Sequence, residues 1–168
     1  VLSGKQAFAE HYAKNRFTLP ELHARLVNRM VAGNTVVDHE DITGLPEMGL
    51  VAKQLWQQSK LGPDDIQTAV IYDHFTPFVL PQLEEFGFAK RGEAKEFIRA
   101  GHHARGGKMP INTHGGQLGA AYIHGMNGIA EGVRQVRGSS INQVPDVHNV
   151  LVTAGTGVPT SGLILGTA

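Results

Sequence analysis

The spacing of apolar residues predicts helices in the first part of the chain. In the segment TLPELHARLVNRMVAGN, Leu22, Leu26 and Met30 recur at intervals of four, and Thr18 followed by Glu21 forms a capping box. This pattern predicts a helix that ends at the glycine–asparagine pair at 33–34. The next stretch, TVVDHEDITG, is expected to be a polar connector, and LPEMGLVAKQLWQQSKLG predicts a second amphipathic helix.

Beyond this point the pattern predicts strands and helices in alternation. The apolar, β-branched run from Ile66 to Tyr72 predicts a buried strand. Helical spacing returns in TPFVLPQLEEFG and GEAKEFIRAG, HHARGGKMPIN is predicted to be a loop, and Leu118 to Val136 fits a helix rich in glycine and alanine. The runs Val147 to Ala154 and Thr160 to Leu165 predict a hairpin around a Gly-Thr-Gly turn. Strands alternating with helices indicate an α/β layered fold.

Composition narrows the class of protein. A chain of 168 residues is long enough for one domain with a hydrophobic core, and equal totals of 15 basic and 15 acidic residues argue against nucleic acid as the main partner. There is no cysteine, so this chain holds no disulfide and no thiolate nucleophile. No apolar run approaches the roughly 20 residues of a membrane span, and no signal peptide is evident. We therefore expect a cytoplasmic protein without membrane segments.

Two groups of polar side chains stand where chemistry is expected. The first, Tyr72-Asp73-His74, follows the predicted buried strand, and ligands of α/β sheets bind at that end of the strands. The second lies at the start of the glycine-rich helix, where free backbone amides favour negative charge. Its members are Asn112, His114, Tyr122 and His124.

Three stretches of the chain resemble one family. MPINTHGGQLGAAYIHGMNGIAEGVRQVRG resembles the N-x-x-G-G…G-H-P-x-G…G motif of thiolases, and most closely that of the thiolase-like lipid-transfer proteins. LGPDDIQTAVIYDHFTPFVLPQLEEFGF resembles their H-D-x-F or Y-D-x-F segment, and NVLVTAGTGVPTSGLILG resembles their C-terminal strand–turn–strand. The resemblance covers Gly44 to Gly166. It implies the C-terminal half of a thiolase-like layered α/β sandwich, with 1–44 as a helical loop-region segment and 45–168 as the thiolase C-terminal-like domain.

The chain departs from thiolases at the positions that carry their chemistry. Aligned on Asn112, Gly115 and Gly116, Tyr122 falls where thiolases have the histidine that activates their nucleophile. Thr153 falls where they have the cysteine acid/base. Ordinary thiolysis is therefore not expected. The tyrosines resemble those of the steroid side-chain aldolases, which cleave a β-hydroxyacyl-CoA by a retro-aldol reaction into a ketosteroid and a short acyl-CoA.

The resemblance implies a lyase in which Tyr72 and Tyr122 are the acid/base pair. A phenol suits both proton transfers where its surroundings lower its pKa from about 10. His74 and His124 are expected to provide part of that environment. The residues expected to contact the substrate are Asn112, His114, Gly116, Gly155, Thr156 and Gly157.

The resemblance also implies what accompanies the chain. No cofactor is expected besides the coenzyme A of the acyl-CoA substrate. A homodimer and a small OB-fold partner of the DUF35 kind are expected from the family. Because the glycine-lined helix would otherwise expose an apolar face, we expect the chain to be a fragment or to be completed by another polypeptide.

Other interpretations stay open. The chain could be a non-catalytic acyl-CoA or lipid carrier or a scaffold subunit, or a thiolase whose nucleophile lies in a missing half. A metal-dependent aldolase is less favoured and no metal is expected, because the spacing of the histidines fits no compact zinc motif. In a metal-dependent aldolase, the metal ligands would be His102, His103, His114 and His124. A Schiff-base aldolase would need a lysine in an apolar pocket. The candidates are Lys53, Lys60, Lys90, Lys95 and Lys108.

Overall fold

The contacts within the chain divide it into two compact units, Val1–Pro46 and Glu47–Ala168. The computed structural model describes residues 23–32, 35–43, 46–120, 123, 125–154 and 161–167, with only the backbone over 23–43 and 46–48. Within these segments no helix combines the length and the apolar character that crossing a membrane requires. The predicted domain boundary between 44 and 45 stays a prediction.

A β-hairpin in the first unit replaces the helix and the connector that the sequence pattern predicted. Strand β1 (His23–Ala32) pairs antiparallel with strand β2 (Thr35–Thr43), with one irregularity between Leu26 and Asn28. The predicted helix over 18–34 is wrong over its described part, and so is the polar connector after it. The helical segment expected over 1–44 is therefore wrong over both strands, and 1–22 lie outside the described residues.

The hairpin has physical reasons in the same sequence. An interval of four residues fits both a helix and a strand, so the apolar spacing alone does not separate them. The register places Arg25 opposite Asp41 and Arg29 opposite Asp38, and facing opposite charges favour strand pairing. Valine, isoleucine and threonine, which favour strands, are frequent in the second strand.

A three-stranded mixed sheet forms the centre of the second unit. Strand β3 (Thr68–Val70) pairs parallel with β4 (Asn149–Ala154), and β4 pairs antiparallel with β5 (Ser161–Gly166). A single parallel bridge joins Ala69 of β3 to Ile111. These strands confirm the predicted buried strand and the C-terminal hairpin, whose turn lies outside the described residues.

Helices occupy most of the predicted helical segments of the second unit. Two short 3₁₀ helices, Pro63–Asp65 and Thr76–Phe78, precede β3 and α2, respectively. The α-helices among the described residues are α1 (Pro46–Ser59), α2 (Val79–Glu85), α3 (Ala94–Arg99), α4 (Gly116–Gly119) and α5 (Met126–Val136).

The sheet lies between two apolar clusters because successive strand residues point to opposite faces. The residues that pack against α1, α2 and α3 are Ala69, Ile71 and Leu151. The residues on the other face, which pack against α5, are Val70, Val150 and Val152. This helix–sheet–helix arrangement is the α/β layering that the sequence predicted.

Glycine is required where α5 crosses the sheet. A Cβ atom at Gly132 would lie 2.8 Å from Val152 Cγ2 and 2.9 Å from Leu165 Cδ1, closer than carbon atoms pack. The glycines of this helix thus allow close approach of its backbone, as the sequence suggested.

The glycine-rich helix is shorter than predicted. The expected continuous helix from 118 to 136 is wrong, because α4 ends at Gly119 and α5 begins at Met126. Ala120 is extended, and Gly125 has φ +90°, a left-handed conformation that a right-handed helix cannot contain. The break separates the Asn112 loop from α5.

Candidate functional site

Tyr72 lies two residues beyond the end of β3 and is buried, with 8% of its surface exposed. Its ring centroid is 4.8 Å from that of His74, and His74 stacks on Phe78 with the ring centroids 5.6 Å apart. A Cβ atom at Gly125 would lie 3.8 Å from Tyr72 Cε2. The end of the buried strand and the start of α5, which the sequence singled out separately, are therefore neighbours.

Beyond the end of β3, backbone N–H groups donate to side-chain oxygens instead of to a neighbouring strand. The N–H of Ile71 donates to Asn112 Oδ1, and the N–H of Tyr72 donates to Thr153 Oγ1, both at 2.8 Å. The backbone that carries Tyr72 is thus held by two side chains from distant parts of the sequence.

Thr153, Gln82 and Tyr72 form a closed ring of hydrogen bonds. Thr153 Oγ1 donates to Gln82 Oε1 at 2.7 Å, and Gln82 Nε2 donates to the Tyr72 carbonyl at 2.7 Å. The Tyr72 N–H closes the ring on Thr153 Oγ1. Both Gln82 and Thr153 are buried. Thr153, which the resemblance to thiolases predicts at the position of their cysteine acid/base, therefore uses its hydroxyl to support Tyr72.

We expect Thr153→Val to lower the free energy of unfolding by about 1–3 kcal/mol, because it leaves the Tyr72 N–H and the Gln82 Oε1 buried without their partner. Urea unfolding monitored by circular dichroism measures this change. Thr153→Ser is the matched control: it keeps the hydroxyl and loses one methyl group, which costs about 1 kcal/mol. Equal destabilisation by both variants would show that the ring contributes nothing.

The loop from Asn112 to Gln117 packs against Asp73. Asn112 adopts a left-handed φ of +52°, and its carbonyl accepts a hydrogen bond from the N–H of Gly115 at 2.8 Å. The N–H of Gln117 donates to Asp73 Oδ1 at 2.6 Å. Asn112 is thus beside the strand end, where its side-chain oxygen supports the backbone. Its expected contact with a thioester stays a prediction.

Gly116 lies directly against the Asp73 carboxylate. Its φ is +75°, and a Cβ atom there would collide with Asp73 Oδ2 and lie 2.9 Å from Asp73 Cγ. Gly116 therefore has a clear role in the geometry of the site, as the residue that lets the loop approach Asp73. Its expected contact with substrate stays a prediction.

His74 is neutral near pH 7. Burial lowers the pKa of His74 below its ordinary value, and the negative charge of Asp73 opposes that shift without cancelling it. A neutral imidazole does not supply the positive charge that would favour a phenolate at Tyr72. The expected part of His74 in proton transfer stays a prediction.

Burial also shifts His114 toward its neutral form. Burial lowers the pKa of His114, the charges of Glu131 and Asp73 act in the opposite direction, and Arg134 lowers it further. Both ring nitrogens of His114 are buried, and neither has a hydrogen-bond partner within the described part of the chain. Buried polar atoms nearly always have partners. The imidazole is therefore suited to bind a group that this part of the chain does not supply.

Half of the predicted site lies outside the described residues. The structure brings four of the predicted residues together around the end of β3 and the loop before α4: Tyr72, His74, Asn112 and His114, with Gly116 beside Asp73. The others lie outside the described residues: Tyr122, His124, Gly155, Thr156 and Gly157. Their roles stay predictions.

The rival aldolase chemistries gain no support. Among the described residues, no group of three or more histidine, aspartate or glutamate side chains is arranged to hold a metal ion. A lysine that forms a Schiff base needs an apolar pocket, and the five candidate lysines are all exposed: Lys53, Lys60, Lys90, Lys95 and Lys108.

A cavity of about 660 Å³ opens elsewhere in the second unit. Its lining residues come from 63–67, 87–88, 105–110 and 142–145, together with Phe97 and Thr113. Tyr72, His74 and His114 are not among them. Of the site segment 112–116, only Thr113 lines this cavity.

Two buried polar residues that shape the site were not predicted from the sequence, Gln82 and Glu131. Both stand on helix faces that are otherwise buried, and a polar residue at such a position needs a hydrogen-bond partner. For Glu131 a signal was present, because Gln135 follows it at an interval of four on the same helix face. That pair indicates a polar network inside the protein.

Comparison with known proteins identifies the family of this chain. A family described as "Thiolase C-terminal domain-like" matches residues 29–167. A 17-hydroxy-3-oxo-4-pregnene-20-carboxyl-CoA lyase of Mycobacterium tuberculosis is 72% identical over 126 residues, which are 75% of this chain and 33% of that protein. A steroid side-chain-cleaving aldolase of Thermomonospora curvata is also 72% identical over 126 residues, 75% of this chain and 32% of that protein.

A solved structure gives the same relationship in three dimensions. The Ltp2-ChsH2(DUF35) aldolase superposes with a TM-score of 0.73 at 72% identity, covering 76% of this chain and 33% of the solved chain. This chain therefore spans about a third of the length of these relatives.

Proposed function

The chain belongs to the thiolase C-terminal domain-like family, and on that premise we propose that it is part of a carbon–carbon lyase that cleaves a β-hydroxyacyl-CoA with a steroid-type acyl group. The observation that carries the proposal is the 72% identity to a steroid side-chain-cleaving aldolase and to a pregnene-carboxyl-CoA lyase over three quarters of the chain. Thiolysis is less suited, because threonine replaces cysteine at position 153 and its hydroxyl is occupied within the protein.

The proposed reaction is a retro-aldol cleavage. A base removes the proton of the β-hydroxyl group, and the bond between the α- and β-carbons breaks to leave a ketone. The electron pair of that bond forms the enolate of the short acyl-CoA, which takes a proton at its α-carbon. Tyr72 and Tyr122 are the proposed acid/base pair, assisted by His74 and His124. Hydrogen-bond donors around the thioester oxygen would stabilise the enolate.

Burial supports this role for Tyr72. Its ring is enclosed by His74 and the start of α5, and its backbone is fixed by the ring with Thr153 and Gln82. A phenol in a fixed, water-poor position can exchange a proton with one atom of a bound substrate. His114 follows Thr113 in the loop before α4, and neither of its buried ring nitrogens has a hydrogen-bond partner among the described residues.

We also propose a homodimer and a DUF35 OB-fold partner for the complete protein. The solved relative is described as an Ltp2-ChsH2(DUF35) aldolase, which names such a partner. Three apolar side chains around α4 and the start of α5 are more than half exposed and provide a surface for further protein contacts. These are Leu118, Ile123 and Met126.

The proposed function is tested by incubating the complete protein and its partner with a steroid-type β-hydroxyacyl-CoA in D₂O, without free coenzyme A. We expect a ketone and a short acyl-CoA that carries one deuterium at the α-carbon, because the enolate takes its proton from solvent. Mass spectrometry measures both products. Cleavage of the corresponding β-ketoacyl-CoA by free coenzyme A, with no cleavage of the β-hydroxyacyl-CoA, would indicate a thiolase, and binding without any cleavage would indicate a carrier.

A further inference from the structure

Glu131 is a buried carboxylate on α5, with 3% of its surface exposed. Its Oε1 accepts three hydrogen bonds, from Thr113 Oγ1 at 2.5 Å, Ser140 Oγ at 2.6 Å and Gln135 Nε2 at 3.0 Å. Burial acts to raise the pKa of Glu131, but these hydrogen bonds and the neighbouring His114 outweigh it and lower the pKa. The carboxylate is therefore charged at neutral pH inside the protein.

The contacts of Glu131 fix one short segment of the candidate site. Thr113 is held through both its side chain and its backbone. Its hydroxyl donates to Glu131, and its carbonyl accepts a hydrogen bond from Asn142 Nδ2 at 2.8 Å. Thr113 stands between Asn112, which supports the backbone beyond β3, and His114. Glu131 therefore restrains the segment 112–114 through its hydrogen bond with the Thr113 hydroxyl.

The charge of Glu131 also acts on His114. Three charged groups face this imidazole: Asp73 from the segment after β3, and Glu131 and Arg134 from α5. Glu131 and Asp73 favour the protonated imidazole, whereas burial and Arg134 favour the neutral one. Glu131 is the largest of the influences that oppose burial.

We propose that Glu131 is a positioning residue, which holds the segment 112–114 against the end of β3 and places a buried negative charge beside the His114 imidazole. The role of His114 toward an acyl-CoA rests on the proposed function. The hydrogen bonds that hold Thr113 and the charge near His114 are independent of it.

Glu131→Gln tests the role of the charge. Glutamine has nearly the same size and keeps an acceptor oxygen at the position of Oε1, but it carries no charge. We expect the titration of His114, followed by NMR of the complete protein labelled at histidine, to move to lower pH by roughly 0.5–1 unit. The matched control is Glu96→Gln, which removes an exposed carboxylate that pairs with Arg99 on α3, and should leave the His114 titration unchanged.

A second variant tests the restraint on the segment. Thr113→Val removes the hydroxyl that donates to Glu131 and accepts from Gln135 Nε2, and Thr113→Ser, which keeps this hydroxyl, is its control. For Thr113→Val we expect several His114 ring signals in place of one and about tenfold lower kcat, equivalent to the net free energy of about one hydrogen bond. Thr113→Ser should keep a single signal. If Glu131→Gln does not fold, the two Thr113 variants still test the positioning role of Glu131.

An unchanged His114 titration in folded Glu131→Gln, or a single His114 signal with normal kcat in Thr113→Val, would overturn the positioning role. A downward shift of the titration in a protein that shows no lyase turnover supports the positioning role and counts against the proposed function. The two proposals can therefore fail separately.

Discussion

Replacing Tyr72 with phenylalanine is expected to lower kcat for retro-aldol cleavage by about 10²–10⁴-fold, the usual contribution of a general acid or base. The loss should fall on kcat while KM for the acyl-CoA changes little. Phenylalanine keeps the ring that packs beside His74 and Gly125, and it keeps the backbone N–H and carbonyl that bind Thr153 and Gln82. Steady-state measurement of ketone release gives both constants.

Two comparisons make this expectation decisive. Thr153→Ser alters the same strand end without removing a phenol, so it should retain most of the activity. Tyr122→Phe tests the second proposed tyrosine in the same assay. Turnover close to normal in folded Tyr72→Phe would remove Tyr72 from the mechanism, and normal turnover in both tyrosine variants would reject the acid/base pair.

Gly116→Ala is expected to be the most destabilising of these substitutions, by about 2–5 kcal/mol. Two costs combine. A non-glycine residue at φ +75° costs about 1–2 kcal/mol, and forcing a Cβ atom into the Asp73 carboxylate adds about 1–3 kcal/mol. Because Asp73 directly follows Tyr72, the same displacement should lower kcat. Urea unfolding and ketone release measure the two effects.

Two other glycines separate these costs. Gly138 has φ +68° with open space around it, so Gly138→Ala should show only the conformational cost of about 1–2 kcal/mol. Gly119 has open space and no left-handed backbone, so Gly119→Ala should change stability by less than about 1 kcal/mol. If Gly116→Ala were no more destabilising than Gly138→Ala, the close contact with Asp73 would be refuted.

The parts of the fold that were predictable are those with one dominant local signal. The apolar run that contains β3 and the two apolar runs of the C-terminal hairpin have no helical alternative of the right length. Helix α1 was predictable from its apolar stripe, and the break at Gly125 was not, because a glycine in sequence does not reveal a left-handed backbone.

The apolar spacing and the capping box of residues 18–34 did not predict the first hairpin. A capping box and apolar residues at intervals of four favoured a helix. The opposite charges that face each other across β1 and β2 can be recognised only when the register of the two strands is known. Arg25 and Asp41 are 16 positions apart in the sequence, so their pairing is a property of the fold and not of a local window. The competing helix signal was local, and the tertiary signal determined the structure.

For the candidate site, the sequence located the two segments but not the way they are joined. Tyr72 and His114 were identified from reactive side chains next to a strand and a helix. Their connection through Asp73, Thr153 and Glu131 depends on hydrogen bonds between residues 18 to 81 positions apart. Such contacts follow from the packing of the whole unit, which residue spacing does not describe.

The hydrogen-bonded ring at Thr153 has a consequence for how this protein could change its chemistry. A cysteine at position 153 would bring back one of the groups that thiolases use, but its thiol is a weak donor and a weak acceptor. The exchange to cysteine would therefore weaken the hydrogen bonds from the Tyr72 N–H and to Gln82 Oε1 that position Tyr72. Under the proposed function, a single exchange of threonine for cysteine would therefore weaken the support of the proposed lyase residue without completing a thiolase site.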